Sequence, residues 1–111
     1  MVQEKENRVT VFQEKVYAAV KRIPQGKVTT YKLLAREVHC RSSQAVGQAL
    51  RHNPFAPVVP CHRVIRSDLS IGGFAGQTCG AEIIRKRILL KREGVLFDNG
   101  MLADISQIYY Y

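Results

Sequence analysis

A cysteine and a histidine stand side by side in Val58-Val59-Pro60-Cys61-His62-Arg63-Val64-Ile65, and no other stretch is better equipped for chemistry. A cysteine attacks as its thiolate, so with an unassisted pKa of about 8.5 it needs a neighbouring base or positive charge. His62 and Arg63 can supply both. Pro60 fixes its own φ and bars Val59 from helical geometry, so a rigid turn should present Cys61. In a regular strand Cys61 and His62 would point to opposite faces. Direct cooperation therefore requires a turn or a bridging water. The competing reading is a buried, inert cysteine in a strand, and periodicity alone does not separate the two.

The elements around this pair follow from spacing. Val9, Phe12, Val16, Ala19, Val20 and Ile23 recur at helical intervals, which predicts a helix over 9–22 that stops at Ile23-Pro24-Gln25-Gly26. Thr29 or Thr30 can cap a second helix over 31–38, with Leu34, Ala35 and Val38 on its apolar face. Ser42 or Ser43 can cap a third, carrying Ala45, Val46, Ala49 and Leu50 and ending at Asn53-Pro54. Two short helices joined this closely read as a helix-turn-helix. The basic residues Lys32, Arg36, Arg41 and Arg51 give it the character of a nucleic-acid surface, and Gly47 and Ala49 keep the third helix slim.

Further along, Ser67 to Ser70 reads as a turn, and Ile71-Gly72-Gly73-Phe74-Ala75-Gly76 as a glycine-rich loop suited to a flat ligand. Glu82 to Arg92 predicts a helix with Ile83, Ile84, Ile88 and Leu89 or Leu90 inward. Its cations, including Arg85, Lys86 and Arg87, are expected mostly outside. Gly94 suits the position after a helix end. A short strand is expected near Leu96-Phe97. Residues 1–8 and about 100–111 are expected to be loose tails of a single domain spanning 1–111. Tyr109 to Tyr111 suits either packing or stacking on bases.

The 111 residues carry 17 Lys and Arg against nine Asp and Glu, a formal net charge of +8. Such a balance favours a polyanionic partner, because basic side chains displace the counterions of phosphates. No apolar run reaches the ~20 residues of a membrane span. The polar start, Met1 to Arg8, does not read as a signal peptide. Cys40, Cys61 and Cys79 leave at least one thiol unpaired and contain no Cys-x-x-Cys pair, which fits a reducing, intracellular setting. Nothing in the spacing of His39, Cys40, Cys61, His62 and Cys79 asks for a metal, and no cofactor is expected.

Pro60-Cys61-His62-Arg63-Val64 resembles the active-site motif of the O6-alkylguanine-DNA alkyltransferases, the methylated-DNA–protein-cysteine methyltransferases. Gly26-Lys27-Val28-Thr29-Thr30-Tyr31, the run from Ala45 to Pro54, and Leu89-Leu90-Lys91-Arg92-Glu93-Gly94 resemble that family's other blocks, in its order. The resemblance implies a mainly α, winged helix-turn-helix-like domain whose second motif helix enters the minor groove of duplex DNA containing O6-alkylguanine. It implies Cys61 as acceptor, His62 as base, Glu93 as the orienter of His62, Asn53 as a brace of the active-site turn and Tyr31 as proton donor to the leaving guanine. Val64, Phe74 and Ala75, with Tyr31, match pocket positions for an extruded base. Lys32, His39, Ser43, Gln44, Gly47, Arg51 and Ser67 match the DNA face. The chain is expected to act as a monomer, in the nucleus or the cytoplasm.

The sequence departs from the family's pattern in three places. Gln44 stands where an arginine usually takes the flipped base's place. Gln77 to Ala81 lengthens the pocket loop, and Phe74 replaces a common tyrosine. The family's separate N-terminal domain is not represented. Short chains also occur in an alkyltransferase-like branch that binds the lesion without accepting the alkyl group, usually with another residue at the Cys61 position. Cys61 favours chemistry over a lesion sensor, and both over a helix-turn-helix regulator with an incidental cysteine.

Overall fold

A computed structural model of the protein describes residues 9–55, 58–72 and 81–111. The expected N-terminal tail 1–8 lies outside the described residues, as do Phe74, Ala75 and the lengthened loop up to Gly80. Thr10 opens the first helix, α1 (Val11–Lys21). Its hydroxyl accepts from the Gln13 amide while the Gln13 side chain accepts from the Thr10 amide, a reciprocal capping box. Thr30, not Thr29, caps α2 (Tyr31–Glu37), and Ser42 caps α3 (Ser43–Arg51). Each satisfies an amide that the first helical turn would leave unpaired. The last helix is α4 (Ala81–Arg92), and Gly94 follows it at φ +86°, a conformation that a side chain would strain.

Helices α1, α2 and α3 pack on one another around Val16, Val20, Leu34 and Val46, all fully buried. A second core gathers Val28, Ile65, Leu90, Val95, Phe97 and Leu102. Between them run two short parallel strands, β1 (Thr29–Thr30) and β2 (Val64–Ile65), with Thr29 opposite Val64 and Thr30 opposite Ile65. Side chains alternate along a strand, so Val64 enters the helical core and its neighbour Ile65 the second one. Tyr31 begins immediately after β1, and the 3₁₀ turn Cys61–Arg63 ends immediately before β2. The strand pairing thereby fixes the helix-turn-helix against the cysteine turn. The fold is mainly helical with two small sheets, in keeping with the mainly α, winged helix-turn-helix-like domain with an active-site turn and small β element that the resemblance implies.

Two expectations fail. The C-terminal stretch is no loose tail. Strands β3 (Phe97–Asp98) and β4 (Met101–Leu102) form an antiparallel hairpin, followed by a 3₁₀ turn at Ile105–Gln107. The Tyr109 amide then donates to the Val28 carbonyl, and Thr29 Oγ1 donates to the Tyr109 carbonyl. Tyr111 Oη reaches the Ala19 carbonyl at 2.8 Å, its ring edge-on to Tyr109 and beneath Arg22. Packing, not base stacking, accounts for these two tyrosines.

The second failure is the rotation of α4. Ile84 and Ile88 are 60% and 46% exposed, whereas Lys86 is fully buried. Lys86, Leu90 and, just beyond the helix, Glu93 follow one another at i, i+4 and i+7 and share one face. The lysine and the glutamate on that inward face meet polar partners beneath it, which an apolar count along the helix does not register.

Candidate active site and nucleic-acid face

Pro60 precedes a single 3₁₀ turn in which the Arg63 amide donates to the Pro60 carbonyl and the Val64 amide to that of Cys61. The turn resolves the strand problem, since Cys61 and His62 no longer alternate across a pleat. Cys61 is partly exposed and His62 is buried. Asn53 braces the approach to the turn: its Nδ2 donates to the Val59 carbonyl at 3.0 Å, and its Oδ1 accepts from the Phe55 amide at 2.8 Å. The Cys61 amide donates to that same Val59 carbonyl.

His62 Nε2 meets Glu93 Oε2 at 2.9 Å. A carboxylate only accepts, so the neutral ring carries its proton on Nε2 and Nδ1 is left as the basic atom. Arg63 was not given this role by the sequence, yet it holds the same carboxylate with two prongs. Its Nε donates to Oε1 and its Nη2 to Oε2, both at 2.9 Å, while Nη1 donates to the Ile23 carbonyl at 2.9 Å. The C-terminal end of α1 and the residue after α4 are thus tied to the turn by one guanidinium. Gly26 contributes at φ +90°, where an added Cβ would lie 3.4 Å from the Glu93 carbonyl oxygen.

Burial dominates the titration of His62 and lowers its pKa from the ordinary value, against the opposing pull of Glu93; the charges of Arg63 and Lys86 add to the lowering. For Glu93, burial pushes upward, but hydrogen bonds from Arg63 and His62 outweigh it and hold the carboxyl below its usual range. Burial raises the Tyr31 hydroxyl, with the nearby Cys61 charge adding to this and Arg66 opposing, so Tyr31 is a phenol at neutral pH. Lys86, expected outside, lies beneath the turn instead, where its Nζ donates to the Val64 carbonyl at 2.8 Å. The available signal was its position seven residues before Glu93 on one helical stripe.

Tyr31, Ser43, Gln44, Gly47 and Ser67 line one open cleft of about 640 Å³, together with Gln48 and Arg66. Ser67 Oγ also accepts from the Lys32 amide, joining the turn after β2 to the start of α2. Lys32 and Arg51 are exposed outside the lining of this cleft. His39 is separate: it lines another cleft with Lys15, Arg22 and Glu37. Val64 is wholly buried in the helical core, so its side chain does not face an open surface. The remaining pocket positions, Phe74 and Ala75, lie outside the described residues. Among the described residues, no three His, Cys, Asp or Glu side chains converge as a metal site, and no helix is long and apolar enough to cross a membrane.

Residues 11–95 match the family model described as 6-O-methylguanine DNA methyltransferase, DNA binding domain. A methylated-DNA–protein-cysteine methyltransferase of Pyrobaculum aerophilum is 49% identical over 74 residues, 67% of this chain and 46% of that protein. The corresponding protein of Methanosarcina acetivorans is 43% identical over 77% of this chain and 52% of its own length, so the chain spans about half the length of these relatives. Among solved structures, the Mycobacterium tuberculosis OGT–DNA complex superposes with a TM-score of 0.69 at 40% identity, covering 78% of this chain and 51% of that one. Atl1 of S. pombe, in complex with damaged DNA containing O6-carboxymethylguanine, superposes with a TM-score of 0.79 at 34% identity, covering 94% of this chain and 99% of that one. With the cysteine turn, the His62–Glu93 pair and the helix-turn-helix in place, these likenesses establish that the chain belongs to the 6-O-methylguanine DNA methyltransferase family, through its DNA-binding domain.

Proposed function

We propose that the protein repairs DNA by moving a methyl or other small alkyl group from O6 of guanine to Sγ of Cys61. The observation that carries this reading is a partly exposed thiol at a rigid turn, beside a buried imidazole hydrogen-bonded to a carboxylate. His62 takes the thiol proton at Nδ1. The sulfur attacks the alkyl carbon, a carbon–sulfur bond forms, and the carbon–O6 bond breaks with its electron pair left on the base. Tyr31 donates the proton the guanine gains, and the proton held by His62 restores the phenol. The thioether has no leaving path, so each molecule acts once and no cofactor is consumed.

DNA is taken on the face formed by α2 and α3, with α3 in the minor groove and Gln44, Gly47 and Ser43 nearest the duplex. The chain acts as a monomeric unit over 1–111, in whichever compartment holds the DNA, nucleus or cytoplasm.

A second reading has its own support. The superposition on Atl1, solved with damaged DNA containing O6-carboxymethylguanine, supports a protein that binds alkylated guanine and flags it to another pathway. Intact-mass measurement after mixing with O6-methylguanine duplex separates the two. Transfer adds the mass of one methylene to a peptide containing Cys61, and Cys61→Ala abolishes the gain while leaving lesion binding largely intact. Tight lesion binding with no mass change would establish the sensor instead. Alkylation of the Cys61→Ala protein would mean the wrong acceptor was chosen.

A further inference from the structure

We propose that Arg63 is a positioning residue that occupies the Glu93 carboxylate, so that His62, though bonded to an acid, rests as an uncharged base. This rests on the alkyl-transfer reading above and adds to it a residue that acts through another. The geometry is the argument. Arg63 takes both oxygens of Glu93, and Oε2 is shared between Arg63 Nη2 and His62 Nε2. Its third nitrogen is held by the Ile23 carbonyl, so the fork cannot swing away without breaking three hydrogen bonds. The side chains of His62, Arg63 and Glu93 are only 8%, 16% and 12% exposed.

A carboxylate paired with histidine alone stabilises imidazolium. Here the carboxylate is already balanced by a bidentate guanidinium. A proton on His62 would therefore add an uncompensated positive charge in a nearly dry site. Among the described residues, the charged or titratable groups around the ring are Glu93 after α4, Lys86 on α4, and Arg63 and Cys61 in the turn itself. The two flanking cations both oppose imidazolium, and only Glu93 favours it. An imidazole kept neutral is free to accept the Cys61 proton; one already protonated is not. Arg63 thus adds to burial in keeping this acid–histidine pair ready to take a proton.

The test uses the whole chain without DNA, following the His62 ring by NMR across pH, beside single-turnover transfer rates from O6-methylguanine duplex. In the wild type the ring should titrate below its ordinary 6.5. Titration above that value overturns the proposal without any variant being needed. In Arg63→Gln the midpoint should move to higher pH and the acid limb of the transfer rate should move with it, lowering the rate at pH 6 by about three- to ten-fold. Arg63→Lys keeps the charge without the fork and should recover most of that shift. A purely structural role for Arg63 would lower the amount of folded, active protein and leave the midpoint unmoved, which would also overturn the proposal. A midpoint that shifts as expected in a protein that never accepts an alkyl group would support the electrostatic role and count against the transfer reading alone.

Discussion

Lys86 Nζ lies 2.8 Å from the carbonyl oxygen of Val64, with the side chain wholly shielded from water. Val64 is the first residue after the cysteine turn, so this bond pins the point where the turn becomes β2. Burial brings the lysine down to about 7 from 10.5, although the nearby Cys61 charge pulls the other way. A lysine in the unfolded chain titrates near 10.5, so between pH 7 and that value the unfolded chain holds a proton that the folded one sheds. Stability from this residue therefore rises with pH across that window, and the full cost of a buried ammonium is present below about pH 7. The unfolding free energy of the wild type relative to Lys86→Met, read from urea titrations, should climb between pH 7 and 9, by at most about 1.4 kcal/mol per pH unit. A difference that stays flat with pH would show that the lysine does not titrate there.

Asn53 makes two hydrogen bonds that hold the main chain leading into the turn. Asn53→Ala leaves the Phe55 amide without its acceptor and removes one of the two donors to the Val59 carbonyl. We expect a loss of about 1–3 kcal/mol in stability. Transfer should slow further than the folded fraction explains, because Cys61 is presented less rigidly. Rates measured at a temperature where the variant is fully folded distinguish the two contributions.

The C-terminal tyrosines predict an effect on stability without one on chemistry. Tyr111→Phe removes the bond to the Ala19 carbonyl but keeps the ring beside Tyr109 and under Arg22. A cost of about 1 kcal/mol is expected in thermal or urea unfolding, with unchanged single-turnover rates. Removing Tyr109 to Tyr111 also strips the bonds to Val28 and Thr29 and should cost several-fold more. Equal rates with a lowered melting temperature are the expected result, and a slowed transfer in Tyr111→Phe would contradict it.

Gln44 is exposed at the mouth of the cleft that Tyr31 and Gly47 also line. If its side chain takes the place of an extruded base, Gln44→Arg should speed repair of duplex DNA more than of single strands, where no stack has to be opened. Equal gains on both would trace the effect to phosphate attraction instead. Competition between the two substrates at fixed salt reads the difference directly.

Much of this was legible beforehand because the signals were local. Capping threonine and serine, the Pro24–Gly26 stop and the apolar spacing of α1 to α3 each depend on a few neighbouring residues. The same is true of the cysteine turn, where Pro60 restricts the backbone whatever surrounds it. The failures were of another kind. Ile84 and Ile88 looked like core residues and Lys86 like a surface one, because apolar type was the only guide to the rotation of α4. The last twelve residues carried little periodicity, so their docking on Val28, Thr29 and Ala19 had no local sign.

The sequence by itself determined the cysteine–histidine pair at a proline turn and the basic helix-turn-helix, since these rest on residue type and short spacing. Only the tertiary structure decided what stands around them. Arg63 grips Glu93 across 30 positions of chain, and Lys86 reaches Val64 across 22. Whether a buried cation finds an acceptor is a question of three-dimensional placement, and leaving it unpaired in the interior is costly. Chemical identity is written along the chain; the charge balance that sets how the identified groups behave is written only between its folded parts.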